Sequence, residues 1–241
     1  MSHALVIGHD THASLRRLAP WFAEYGLDGS IVFGANGLPR SLDGYDALIV
    51  LGGAPLPDDD KHYPWLPGTR KLIGEALARR IPMLGICLGG QLLAYTAGGR
   101  VERRKFQPEH GMTDIEATQA AASDPLFRVM PRHYIMAENH IDHITALPDN
   151  AVLLAHSKRT AVQAFRIGPC AWGLQFHPEI AQADIERWDA QQKADIEADG
   201  FDWNQVMAYG RRADRDNTAA ARRLACSFAA ICTHRGEETG R

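Results

Sequence analysis

The sequence predicts an α/β protein: a mostly parallel, doubly wound sheet, an antiparallel β addition, and two C-terminal helices. Three observations carry this. In the first hundred or so residues, short runs that are apolar throughout recur between amphipathic segments of helical period, as parallel strands covered on both faces require. From Gly99 to about Ile180, β-rich runs follow one another with turns and no long helical pattern between them. Beyond Ala183 the period is helical again.

Taken in order, Ala4 to Ile7 reads as a strand closed by Gly8, and Leu15, Leu18, Phe22 and Tyr25 recur at helical spacing before Gly26 stops them. Ser30 to Phe33 and Ala47 to Leu51 are the next strands, the latter ending at Gly52-Gly53. The prolines and acidic cluster of APLPDDDKHYPWLPG place a surface loop there. Thr69 to Arg80 makes a helix with Leu72, Ile73, Ala76 and Leu77 inward, and Pro82 opens a fourth strand. Candidate strands of the antiparallel addition are Thr113 to Ala117, Ile135 to Glu138, Ala151 to His156, Ala161 to Arg166 and Ala171 to Phe176. Helices are expected over Ala183 to Asp199 and Asp216 to Cys232, with a Gly-Phe-Asp-Trp turn between and fraying after about His234.

With 241 residues, 45% of them hydrophobic, the chain can build one sizeable core. It reads as a single domain, 1–241, with a core over about 1–181 and a helical extension over about 182–234. A net charge of −3 with both signs dispersed offers no basic stripe for nucleic acid. No run approaches the roughly 18 apolar residues of a membrane span. Cys87, Cys170, Cys226 and Cys232 have no paired metal spacing and are too few for a disulfide scaffold, which favours a reducing, cytoplasmic setting.

The chemistry concentrates in Ile81 to Gly98, IPMLGICLGGQLLAYTAG. An apolar strand runs into Gly85-Ile-Cys87-Leu-Gly89 and directly into a helical pattern, the strand-turn-helix context that holds a nucleophile proud of a sheet. Small residues relieve the tight turn, and a helix starting near Leu88 aims its free N–H groups and positive dipole end at the sulfur, favouring thiolate. A buried thiol packed in a core would look alike in isolation. A second motif, Gly173-Leu-Gln-Phe-His177-Pro-Glu179, supplies a base and its orienter: in extended backbone, positions i and i+2 share a side, so Glu179 can reach His177. His9 and His12 follow the first strand at the ligand-binding edge of such sheets, but read as loop histidines without a role. Trp188, Trp203 and Tyr209 read as packing.

Together, Gly85-Ile-Cys-Leu-Gly-Gly-Gln91 and Gly173-Leu-Gln-Phe-His-Pro-Glu179 resemble the class I glutamine amidotransferases, in the freestanding branch similar to the amidotransferase part of GMP synthase. The likeness spans roughly the first three-quarters of the chain. It implies a flavodoxin-like three-layer sandwich and hydrolysis of the glutamine side-chain amide. Cys87 would be the nucleophile, His177 the acid-base, and Glu179 its partner. The backbone N–H groups of Leu88 and Gly53 would form the oxyanion hole. Gln91 would hold the substrate's amino-acid end, and His140, in Asn139-His-Ile-Asp142-His143, would line the glutamine pocket. Where the family usually has Gly-Gly-Pro, this chain has Ala54 after Gly52-Gly53, a less rigid loop. No cofactor is implied, and His140, Asp142 and His143 lack the second matched pair of a metal site. Ammonia would pass to a separate synthetase. Two other readings stand beside this one: cleavage of another γ-glutamyl peptide or amine conjugate, and a binding protein that kept the fold without the catalysis.

Overall fold

The computed structural model describes residues 1–238, with side chains through His234. The first half alternates as expected: β1 (Ser2–Gly8), α1 (Leu18–Ala23), β2 (Leu27–Phe33), β3 (Ala47–Val50), α2 (Leu66–Arg79), β4 (Met83–Ile86) and α3 (Leu88–Thr96). The helix α2 begins earlier than its periodicity suggested. Pro67 lies in its first turn, where the N–H that proline lacks would have no intrahelical partner anyway.

The second half holds β5 (Arg100–Arg103), β6 (Glu109–Ala117), β7 (His133–His140), β8 (Asp142–Ala146), β9 (Ala151–Ser157), β10 (Ala164–Ile167) and β11 (Ala171–Leu174). Nine strands form one sheet in the order β2-β1-β3-β4-β11-β10-β9-β6-β7. The pairings from β2 through β4 to β11 are parallel, and those from β11 to β7 antiparallel. The antiparallel strands therefore continue the main sheet edge to edge. Beyond β11 the chain meets β7 from the other side, the His177 N–H donating to the Ala137 carbonyl at 2.8 Å. The antiparallel half thus curls back on itself and brings β7 to the His-Pro-Glu segment. The pair β5-β8, unforeseen in the sequence, is a separate small sheet. Arg100-Val-Glu-Arg is too charged to read as a strand, and β8 follows β7 after a single residue.

The strands alternate between two buried layers. Ala4 and Val6 of β1, with Ala47 and Ile49 of β3, pack toward Leu18 and Phe22 of α1. Leu5 and Ile7, with Leu48 and Val50, face Leu72 and Ile73 of α2 and Leu92 of α3. The result is three layers, helix on sheet on helix.

The C-terminal part departs most from expectation. The helix expected over Ala183 to Asp199 is two pieces, α4 (Gln182–Ile185) and α5 (Ala190–Ala198), because Asp189 caps the second: its carboxylate accepts the Gln192 N–H at 2.9 Å while the Gln192 side chain accepts the Asp189 N–H. The last helix, α6 (Trp203–Glu238), begins thirteen residues before the expected Asp216 and passes His234 without fraying; residues 239–241 lie outside the described part. Asp202 caps it through the Asn204 and Gln205 N–H groups. Its Leu224 and Phe228 join the α1 layer, and Phe22 and Phe228 have ring centroids 6.0 Å apart. Met207 and Ala213 pack on Met112 of β6 and Ala137 of β7. Among the described residues no helix is long and apolar enough to cross a membrane.

Candidate active site

Cys87 stands between β4 and α3 at φ 51°, ψ −109°, a left-handed conformation that costs a non-glycine residue roughly 1–2 kcal/mol. The surrounding glycines explain how the turn is held. A Cβ on Gly89 would overlap the Val50 carbonyl oxygen, one on Gly85 would overlap the Gly89 carbonyl, and one on Gly90 would come within 2.6 Å of the Leu174 oxygen. The start of α3 therefore lies directly against the ends of β3 and β11, and the Cys87 N–H donates to Leu174 at 2.8 Å. The thiol is free and 6% exposed.

The sequence-predicted residues Cys87, His177 and Glu179 come together across Gly52. A Cβ placed there would lie 3.0 Å from His177 Cε1 and 3.4 Å from Cys87 Cβ. His177 Nδ1 is 2.6 Å from Glu179 Oε1, and Nε2 has no hydrogen-bond partner. Burial disfavours charge on this imidazole, but the Glu179 carboxylate and Cys87 more than offset it, and the histidine is held well above its usual range. Gly53 packs against the Leu88 side chain and His9.

Gln91 is buried rather than solvated. Its Nε2 donates to the Asp142 carbonyl and to Gln175 Oε1, both at 3.2 Å, and Gln175 Nε2 in turn lies 3.7 Å from Cys87 Sγ. Sequence reasoning missed Gln175, although it sits inside the second motif. His140 is buried with Nδ1 3.1 Å from the Asp142 carbonyl and Nε2 facing Glu109 at 3.3 Å and Glu138 at 3.5 Å; its polar contacts are with these groups and not with Cys87 or His177. Glu138, also missed, is fully buried, and burial together with the Glu109 charge raises its carboxyl well above the usual range. Asp142 pairs with Arg103, and His143 meets Phe106 edge-on.

Two further residues tie the site to its frame. Arg17 donates through Nε to the Pro178 carbonyl at 2.7 Å and through its terminal nitrogen to Asn217 Oδ1 at 2.9 Å, while Asn217 donates to the Ile135 carbonyl of β7. One guanidinium thus joins the His-Pro-Glu turn to α6. Replacing Arg17 with Met is expected to cost about 2 kcal/mol in urea unfolding. Arg17→Lys should recover only part of this, because an ammonium cannot reach both acceptors in the same geometry.

His9, expected to be an idle loop histidine, is 7% exposed and accepts at Nδ1 from Trp65 Nε1 at 3.1 Å. Burial lowers its pKa to about 4, with Asp10 partly opposing. Between pH 6.5 and 4 the unfolded chain therefore takes up a proton that the native state refuses. This contribution to stability is full above pH 6.5 and is lost as pH falls toward 4, by about 3 kcal/mol. Urea midpoints across that range should show the loss, and His9→Gln should flatten it.

A family model for class I glutamine amidotransferases matches residues 25–186. The chain belongs to the class I glutamine amidotransferase family. Among its relatives, a subunit of the glutamine-hydrolysing GMP synthase from Thermoplasma acidophilum is 35% identical over 183 residues, 75% of this chain and 84% of that one. The glutamine-hydrolysing GMP synthase of Porphyromonas gingivalis is 32% identical over 154 residues, covering 64% of this amidotransferase and 28% of that longer protein. A glutamine amidotransferase crystal structure from Thermotoga maritima superposes with TM-score 0.82 at 28% identity, covering 95% of this chain and 98% of that one. The Thermotoga likeness extends through most of the C-terminal helices, whereas the match to the Thermoplasma protein spans three-quarters of the chain.

Proposed function

We propose that this amidotransferase hydrolyses the side-chain amide of glutamine to glutamate and ammonia through a γ-glutamyl thioester on Cys87, and delivers the ammonia to a separate synthetase. The observation that carries the reading is the buried convergence of Cys87 and His177 on Gly52, with Glu179 2.6 Å from the far side of the imidazole.

In the proposed cycle the Cys87 thiolate attacks the γ-carbonyl carbon and the carbonyl becomes a tetrahedral oxyanion. The N–H groups of Gly53 and Leu88 would receive that charge, and such donors contribute roughly 2.7–4 kcal/mol each to the transition state. The C–N bond breaks, and the His177 imidazolium gives its proton to the departing nitrogen, which leaves as ammonia. Neutral His177 then takes a proton from water. The hydroxide attacks the thioester, and the C–S bond breaks to give glutamate and the thiolate again. Glu179 orients the ring and stabilises its charged form throughout. Gln91 and His140 would form the wall around the amino-acid end.

The acceptor is proposed from the relatives, several of which are named as GMP synthase subunits. Ammonia release from glutamine should be measured on the chain alone and with the synthetase component of a GMP synthase. Glutamine-dependent release that rises with the synthetase supports both parts. No release in either case would overturn the glutaminase reading, and release indifferent to the synthetase would overturn the partnership.

A further inference from the structure

We propose that Glu109, Glu138 and His140 form a binding site for one divalent cation of the zinc class, set inside the curled antiparallel half of the sheet. The three side chains come from β6 and β7, which pair directly: Glu109 lies opposite His140 across the ladder. All three are buried, and their ligand atoms lie within 4.8 Å of one another.

Four features support a cation over mere polar packing. First, the spacing fits. Four donors about 2.1 Å from a tetrahedral zinc are about 3.4 Å apart. Glu109 Oε2 and Glu138 Oε2 stand 3.3 and 3.5 Å from His140 Nε2. Second, the histidine tautomer is set by its other nitrogen: Nδ1 lies 3.1 Å from the Asp142 carbonyl, to which it can only donate, so in the neutral ring the Nε2 lone pair faces the two carboxylates. Third, Glu109 is aimed by neighbours that bind zinc poorly, with Ser157 Oγ and Gln163 Nε2 each donating to it at 2.7 Å. Fourth, Glu138 is 1% exposed and points into the cluster, yet neither of its carboxylate oxygens accepts a hydrogen bond. A buried carboxyl group with unused acceptors beside a second carboxylate lacks a positive partner. One imidazole and two carboxylates suit zinc or manganese better than the soft-ligand metals. A cleft of about 290 Å³ bordered by Glu109, Met112 and Phe201 gives a route from the surface.

This differs from the His140, Asp142 and His143 cluster weighed in the sequence, since Asp142 pairs with Arg103 and only His140 is shared. A cation here would stiffen β6 and β7 where β7 bonds to the His177 backbone.

The test uses the full chain bearing Cys87→Ala, so that no thiolate at the candidate active site competes for metal. After dialysis against a chelator the protein is titrated with Zn²⁺ by calorimetry, and bound metal is counted by mass spectrometry. One zinc per chain is expected, with Glu138→Gln and Glu109→Gln each weakening binding at least about tenfold while circular dichroism is unchanged. Should either variant fail to fold, the other, or His140→Gln, makes the comparison. A chain that retains no zinc, or zinc held equally well by the substituted proteins, would overturn the site. Because the readout is metal content, a negative result leaves the amide-hydrolysis proposal untouched.

Discussion

Replacing Cys87 with Ala is expected to lower glutamine-dependent ammonia release by about 10⁴-fold or more, to the limit of detection, with no loss of folded structure. The size of the effect follows from the proposed route, in which every turnover passes through a bond to this sulfur and His177 has no other nucleophile to serve. Alanine keeps a Cβ, so it inherits the same left-handed backbone at φ 51° and the same packing against Gly52. Removal of one nearly buried sulfur costs little beside the activity. Ammonia release and labelling by a glutamine-like chloroketone, followed by mass spectrometry, check this together: the parent chain should carry one adduct on Cys87 and the alanine variant none. A purified variant that released ammonia at the parent rate would remove Cys87 from the mechanism.

Asp124→Ala is expected to be among the most destabilising single changes, costing about 3–5 kcal/mol. Asp124 is 2% exposed and accepts from four donors: the Leu126 and Phe127 N–H groups at 2.9 and 3.0 Å, Trp172 Nε1 at 3.0 Å, and Arg166 Nε at 2.7 Å. Truncation leaves a partly buried guanidinium, a buried indole N–H and two backbone donors without this acceptor. Trp172 is a large, fully buried side chain on β11, so the disturbance lies within the core. Asp124→Asn keeps one carbonyl oxygen for the Leu126, Phe127 and Trp172 donors and loses the charge that Arg166 uses, so it should cost about half as much. Denaturant unfolding of the two variants measures both values, and an alanine variant within about 1 kcal/mol of the parent would contradict this account of the four bonds.

Much of the candidate site was legible because its residues carry local signatures. Gly85, Gly89 and Gly90 are required by close backbone approach, and Cys87 sits among them where a strand becomes a helix. His177 and Glu179 are two residues apart and need no distant neighbour to meet. Gln175, Glu109 and Glu138 carry no such signature. A glutamine or glutamate in a strand looks the same whether it faces water or a sealed interior, and the side is decided by the curl that returns the chain after β11 to β7.

By itself the sequence determined the parallel half of the sheet and the two layers of helices around it. Those elements follow from apolar runs and helical periods read a few residues at a time, and their burial on both faces leaves little choice of arrangement. Only the tertiary structure decided the C-terminal helices and the polar interior. The first turns of α6 contain Gly210 and the sequence around Asn217 is polar, poor material for an isolated helix. Yet Gly210 lets Gln182 pack against the helix, and Asn217 is fully buried between Arg17 and β7. Long-range contacts there outweigh weak local preference, which is why periodicity placed the helix start thirteen residues too late.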